Sequence, residues 1–145
     1  MAGPAPTRPL LHLYTDGASQ GNPGPSAAAW LILDPATGEV LEEAGEYLGV
    51  GTNNVAEYTA IVRGVAACLR LGAGRVEAFS DSDFCLKQIS GEYRVRKEHL
   101  RPLLEEVQRL RAGLNAIRFT WVPRENEWIQ RCDRLAEDII ERHTG

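Results

Sequence analysis

Leu11-His12-Leu13-Tyr14-Thr15-Asp16-Gly17-Ala18-Ser19-Gln20-Gly21-Asn22-Pro23-Gly24-Pro25 is the stretch on which the reading of this chain turns. Leu11, Leu13 and Thr15 alternate with His12, Tyr14 and Asp16, the two-residue period of a strand. That strand delivers a carboxylate into a run of glycine, serine, asparagine and proline. Such a run reads as a turn: Gly17, Gly21 and Gly24 permit backbone angles that other residues avoid, and they let a ligand approach the main chain. A strand-held carboxylate beside exposed amides suits metal-assisted chemistry on a phosphate. Alone, the stretch slightly favours a hairpin whose aspartate bonds its own backbone. The remaining acids decide between the two.

Downstream, Ala27 to Leu33 is a second apolar run, Asp34-Pro35-Ala36-Thr37-Gly38 a turn, and Val40 to about Leu48 a third, less regular strand. Three strands joined by turns make an antiparallel meander. The period then changes. From Asn54 to Leu71 the residues Val55, Tyr58, Ile61, Val62, Val65, Ala66 and Leu69 follow helical spacing, and Gly72 and Gly74 stop the helix. At about 100° per residue, Glu57 lies roughly 130° from the middle of the face formed by Ala56, Thr59, Arg63 and Arg70, so it points inward from the first turn. Helix-dipole stabilisation explains its place along the helix but not its direction.

Arg75 to Ser80 is a fourth strand ending at Asp81, followed at once by a helix from Ser82 to Ile89. Asp81 suits a helix cap as well as a ligand. A strand reached through a helix returns parallel, however, which places Asp16 and Asp81 together at the carboxyl ends of parallel strands, where open α/β sheets bind ligands. Leu100, Leu103, Leu104, Val107 and Leu110 stripe another helix, and Ala116 to Val122 is the fifth strand. The last helix, from Glu127 to Arg142, buries Trp128, Ile129, Cys132, Leu135, Ala136, Ile139 and Ile140. Asp133 sits at the edge of that stripe, away from the solvent face of Gln130, Arg134, Glu137 and Glu141; its partner there is an arginine such as Arg118, or a metal.

The sum is an α/β chain: a five-stranded mixed sheet, three strands antiparallel and then two parallel, with helices on both faces. Residues 10–143 read as one domain. Pro4, Pro6 and Pro9 make residues 1–9 a stiff, disordered leader. With 43% hydrophobic and 25% charged residues the composition is that of an ordinary globule, which removes the disordered and membrane-embedded classes. No apolar run approaches the ~20 residues of a span, and no signal-peptide hydrophobic region opens the chain. Cys68, Cys85 and Cys132, odd in number and widely spaced, read as reduced core thiols, so a cytoplasmic protein is expected. A formal charge of −4 argues against gripping nucleic acid by bulk charge. No heptads stand out, and the expected state is a monomer without an obligate protein partner.

Asp16, Glu57, Asp81 and Asp133 are thus four candidate acids for one crevice. Clustered carboxylates protonate at neutral pH unless cations compensate, and an oxygen-only donor set selects Mg²⁺ or Mn²⁺ over zinc. Two such ions about 4 Å apart suit in-line phosphodiester cleavage.

The motifs Tyr14-Thr15-Asp16-Gly17-Ala18-Ser19, Gly21-Asn22-Pro23-Gly24-Pro25, Thr52-Asn53-Asn54-Val55-Ala56-Glu57-Tyr58, Ser80-Asp81-Ser82 and Cys132-Asp133-Arg134-Leu135-Ala136 resemble, in order, those of type 1 ribonuclease H. The resemblance implies the ribonuclease H-like fold and internal hydrolysis of the RNA strand of RNA/DNA hybrids, leaving 5′-phosphate and 3′-hydroxyl ends. It implies two Mg²⁺ ions on Asp16, Glu57, Asp81 and Asp133, with Mn²⁺ as a substitute. It also implies that Ser19, Asn22, Thr52, Asn53 and Asn54 contact the hybrid's minor groove, where the 2′-hydroxyl distinguishes RNA from DNA.

Several positions depart from the family pattern. No His lies between Trp121 and Asp133, where many members carry a mobile one; Arg124 is the candidate for its role, with His143 as a substitute. Ile129 stands where an Asn often precedes the last acid by four residues, and Asn126 is the compensating candidate. Asp83 replaces an amide that commonly touches the hybrid. The Lys- and Trp-rich handle of longer members is missing, and Arg94, Arg96, Lys97 and Arg101 form a charged connector in its place. Two alternatives stay open: a non-catalytic hybrid-binding module, and a same-fold nuclease acting on another nucleic acid.

Overall fold

β1 (Leu10–Ser19) is the central strand of the computed structural model, which describes residues 8–145. β2 (Gly24–Leu33) and β3 (Val40–Gly51) extend the sheet antiparallel on one side of it; β4 (Arg75–Ser80) and β5 (Ala116–Trp121) extend it parallel on the other, in the order β3-β2-β1-β4-β5. The helices are α1 (Asn53–Arg70), α2 (Asp83–Ile89), α3 (Arg101–Arg111), which follows a 3₁₀ turn over Glu98–Leu100, and α4 (Glu127–Thr144). The mixed five-stranded sheet with helices on both faces is as expected.

Strand alternation divides the core in two. Leu11 and Leu13 of β1, with Ile32 of β2, face Tyr58, Ile61 and Val65 of α1, and Leu100 and Val107 complete that layer. Tyr14 and Ala18, with Ala27, Ala29 and Leu31, face Ile129, Cys132, Ala136 and Ile140 of α4. Cys68, Cys85 and Cys132 are free and buried, the core thiols that the sequence suggests.

Two expectations are corrected where the glycines lie. β1 does not give way to a turn at Gly17 but runs through it to Ser19, paired with β2 as far as Ser19↔Ser26. The turn is confined to residues 20–23 and closed by the Gln20 amide donating to the Pro25 carbonyl at 2.8 Å. The missing Cβ of Gly17 makes room for α1: a Cβ there would fall 2.4 Å from the Ala56 carbonyl carbon and the Glu57 nitrogen, while Gly17 also lines the cavity described below. Gly21, at φ +95°, does supply a turn conformation that favours glycine. Ala56, grouped above with Arg63 and Arg70 on the face turned away from Glu57, is nonetheless buried against this contact.

The leader expected over residues 1–9 lies outside the described residues as far as residue 7. Arg8 and Pro9 are held: Pro9 O accepts from the Gly74 amide at 3.0 Å, and Arg8 Nη2 donates to Asn115 Oδ1 at 2.9 Å. Among the described residues no helix is long and apolar enough to cross a membrane.

Candidate active site

The parallel pairing of β1 with β4 ends at Tyr14↔Phe79, so past that point the β4-side edge of β1 is open. Continuing the register by two residues sets Asp81 level with Asp16. Ser82 caps α2, accepting from the Cys85 amide at 3.3 Å, which leaves the carboxylate of Asp81 free of capping duty. The indole Nε1 of Trp121, at the end of β5, donates to the Asp81 carbonyl at 3.2 Å and ties this strand end down.

Glu57 reaches the same place from α1. The helix begins one residue earlier than its spacing suggests, at Asn53, so Glu57 falls just past the first turn and the dipole argument for its position weakens. Its inward direction holds: Glu57 is 5% exposed, as is Asp16. Carboxylate oxygens of Asp16, Glu57 and Asp81 all lie within 4.8 Å of one another. Asp133 enters from α4 and lines the same cavity of about 440 Å³ without joining that trio.

Burial is the largest influence on each acid of the trio. At Asp16 it raises the carboxyl pKa, and the charges of Glu57, Asp81 and Asp133 raise it further. Burial and the charge of Asp81 push Glu57 up to about 8 against the pull of Asp16 and the Gly17 amide. Burial raises Asp81 too, while the Arg124 guanidinium opposes the rise. The four acids make no ion pair among the described residues; Arg118, the alternative partner for Asp133, binds Glu77 at 2.7 Å. Glu57 Oε2 is buried without a hydrogen-bond partner. A buried carboxylate oxygen left open, on a residue clustered with two other carboxylates, fits a hard divalent cation and fits little else.

The remaining candidates fall into two groups. Ser19, Asn53 and Arg124 line the acid cavity. Asn22 is tied to it indirectly, its Oδ1 accepting from the Asn53 amide at 3.1 Å. Thr52 is the N-cap of α1, its hydroxyl accepting from the Val55 amide at 3.3 Å, and Asn54 sits half-buried in the first turn. Asn126 caps α4, accepting from the Trp128 and Ile129 amides at 2.9 and 3.2 Å, and Ile129 is buried. His143 stacks on Tyr47 with ring centroids 4.4 Å apart. Ten residues beyond Asp133, it lies about 15 Å further along α4. Asp83 is exposed and paired with Lys87 at 3.0 Å.

Trp121, Gln130, Arg134 and Glu137 were not singled out by the sequence reading as site residues. The last three line the cavity, although their spacing marks a solvent face of α4. Both statements hold, because that face is exposed where it forms the outer wall of the cavity. The signal was Asp133 at the edge of the apolar stripe: a wall that carries it also carries its exposed flank.

A family model described as reverse transcriptase-like matches residues 14–137. Ribonuclease HI of Halobacterium salinarum is 34% identical over 131 residues, which is 90% of this chain and 64% of that protein. A bifunctional protein of Mycobacterium tuberculosis is 34% identical over 129 residues, 89% of this chain and 35% of its own length. The chain thus spans less than two thirds of the length of these relatives. The crystal structure of ribonuclease H1 from H. salinarum superposes with a TM-score of 0.86 at 33% identity, covering 92% of this chain and 98% of that one. LC11 ribonuclease H1, solved in complex with an RNA/DNA hybrid, gives 0.86 at 30% identity, covering 93% and 99%. Matched from its central strand into its last helix, and sharing its fold with chains about a third identical to it, the chain belongs to the reverse transcriptase-like family, in its type 1 ribonuclease H branch.

Proposed function

We propose that the chain hydrolyses the RNA strand of RNA/DNA hybrids, leaving 5′-phosphate and 3′-hydroxyl ends. The observation that carries this reading is the trio of buried Asp16 and Glu57 with half-buried Asp81, with an open oxygen on Glu57 and no protein cation paired with it. Asp16, Glu57, Asp81 and Asp133 would hold two Mg²⁺ ions, with Mn²⁺ able to replace them. When bound, such ions supply an activated water and a stabilised leaving oxygen.

The chain's own residues supply the rest. Arg124, which lines the cavity near enough to Asp81 to oppose the rise of its pKa, would neutralise charge there, in the role of the loop His that many family members carry. Ser19, Asn22, Thr52, Asn53 and Asn54 offer short polar groups to the sugar edges of the minor groove. Thr52 does so with a hydroxyl that also caps α1, so its donor hydrogen remains free. Beyond the cavity, the connector over residues 91–97 borders a hollow of about 410 Å³ lined by Phe84, Gln88, Tyr93, Arg94, Arg96 and Lys97. The Tyr93 amide donates to the Lys87 carbonyl at 3.0 Å, and Gln88, buried beneath, donates to the Arg94 carbonyl at 3.4 Å. The connector is therefore anchored, with its cations outward, and we assign it to the hybrid's flank. Arg101, bound to Glu98, is excluded from that role. The buried free thiols suit a reducing compartment, and we assign the chain to the cytoplasm as a monomer.

Matched RNA/DNA hybrid, duplex RNA and duplex DNA, incubated side by side with Mg²⁺, test the reading. Cleavage of the RNA strand of the hybrid alone is expected, and Asp16→Asn should reduce it by about a thousandfold or more. Preference for either other duplex, or undiminished cleavage by the variant, would overturn it. Tight hybrid binding without cleavage by the unaltered chain would identify a binding module instead.

A further inference from the structure

Arginines in this chain are mostly spoken for. Arg63, Arg70, Arg101, Arg109, Arg118 and Arg131 each pair with a glutamate, and Arg8, Arg111 and Arg142 donate side-chain hydrogen bonds to Asn115, Gln108 and the Asp138 carbonyl. Two that make neither an ion pair nor a side-chain hydrogen bond among the described residues line the acid cavity: Arg124 in the loop after β5, and Arg134 on α4. Arg134 is flanked by Asp133 and Glu137, the latter at the i, i+3 spacing that lets side chains meet on a helix, yet it bonds to neither. Its backbone is fixed, because Cys132 and Ala136 on either side are buried in the core beneath α4.

A cavity walled by carboxylates repels the strand it must receive, and the chain's net charge of −4 gives no general attraction. Approach then depends on local cations that are not already neutralised. A guanidinium with its donors unspent, on a rigid helix at the cavity's outer wall, matches a phosphodiester's oxygens in a bidentate fork. We propose that Arg134 is a substrate-positioning residue, taking a backbone phosphate next to the phosphodiester that lies over the four acids. This rests on the hybrid-nuclease reading for its ligand, and its test is chosen to stand apart from that reading.

Arg134→Ala should raise KM for the hybrid about five- to tenfold while leaving kcat within about twofold. The salt dependence of kcat/KM should become shallower by about 0.7–0.9 in log–log slope, the loss of one phosphate contact. Arg134→Lys should recover part of both. The same comparison made by fluorescence anisotropy, with labelled hybrid bound to the Asp16→Asn chain with and without Arg134→Ala, reads affinity without cleavage. If the unaltered chain cuts no hybrid, the nuclease reading fails while this binding difference still decides the role of Arg134. Unchanged KM, affinity and salt slope in a variant that folds would overturn the assignment. So would a fall in kcat at constant KM, which would instead tie Arg134 to the alignment of the acids.

Discussion

Glu42, half-buried at the rim of the sheet, and Glu57, buried, are the same residue, and the structure treats them in opposite ways. Burial pushes the Glu42 carboxyl up, but hydrogen bonds from Arg70 and Trp30, with the Arg70 charge, outweigh it and hold the pKa below the usual value. Arg70 lies 2.6 Å and Trp30 Nε1 2.9 Å from its two oxygens. Glu57 has no cation to do the same: burial and Asp81 raise its pKa further than Asp16 and the Gly17 amide lower it, and one oxygen has no partner at all. The chain therefore has the means to satisfy a glutamate and does so across its outer surface, at Glu42, Glu43, Glu46 and Glu77. It leaves the group around Asp16 unsatisfied. Charge left uncompensated in the fold is charge reserved for something that binds.

The largest break of that contrast lies in the stability of the metal-free protein. An acid whose pKa is raised by folding holds a proton that the unfolded chain has released, so its protonated form stabilises the fold fully below the unfolded pKa near 4. That contribution is lost as pH rises through the folded value. For Glu57 the window runs from about pH 4 to about 8, and Asp16 shifts in the same direction. In chelator, Tm should fall from pH 5 to pH 8. Asp16→Asn should flatten that fall and gain on the order of 2 kcal/mol at pH 8, roughly 5 °C in Tm, read by calorimetry. Mg²⁺ should raise the Tm of the unaltered chain at pH 8 and leave the variant nearly unmoved. A Tm that climbs with pH in chelator would mean that the trio is compensated after all.

Much of this site was legible in the residues and some of it was not, for reasons that separate cleanly. Glu57 was readable because helical spacing fixes direction, and a charged residue pointing inward calls for a partner. Asp81 was readable because a strand–helix unit returns parallel. The length of β1 was not: Gly17 looks like turn chemistry, and only the packing of α1 onto it reveals a glycine that serves close approach within a strand. Trp121 was missed because its bond to the Asp81 carbonyl joins residues forty positions apart through the pairing of β4 with β5. The cap at Thr52 is hard to read because a threonine before two asparagines suits a polar contact surface as well as a helix start.

That double duty sets up a sharper and smaller test, since α1 carries Glu57 five residues after its cap. Thr52→Ala should cost about 1 kcal/mol, roughly 3 °C in Tm. Thr52→Asp caps as well as threonine and should restore Tm, yet it sets a new carboxylate beside the phosphate path and should weaken hybrid binding about fivefold by anisotropy. If Thr52→Asp binds hybrid normally, Thr52 serves the helix alone and the polar rim shrinks to Ser19, Asn22, Asn53 and Asn54.

The smallest effect is expected on the satisfied side. Arg118 meets Glu77 through two contacts, at 2.7 and 2.9 Å, across β5 and β4, a geometry that looks strong on distance alone. Its side chain, however, is 76% exposed, against 21% for Glu77. A pair formed largely in water gains little Coulomb energy, orders a long side chain and is screened by salt. Arg118→Ala should therefore leave Tm unchanged within measurement at 0.15 M salt, and the metal-free pH profile should keep its shape. A clear loss of stability would show that the outer glutamates depend on their arginines as tightly as the inner acids depend on a cation. The contrast between the two sets would then be one of partner, not of purpose.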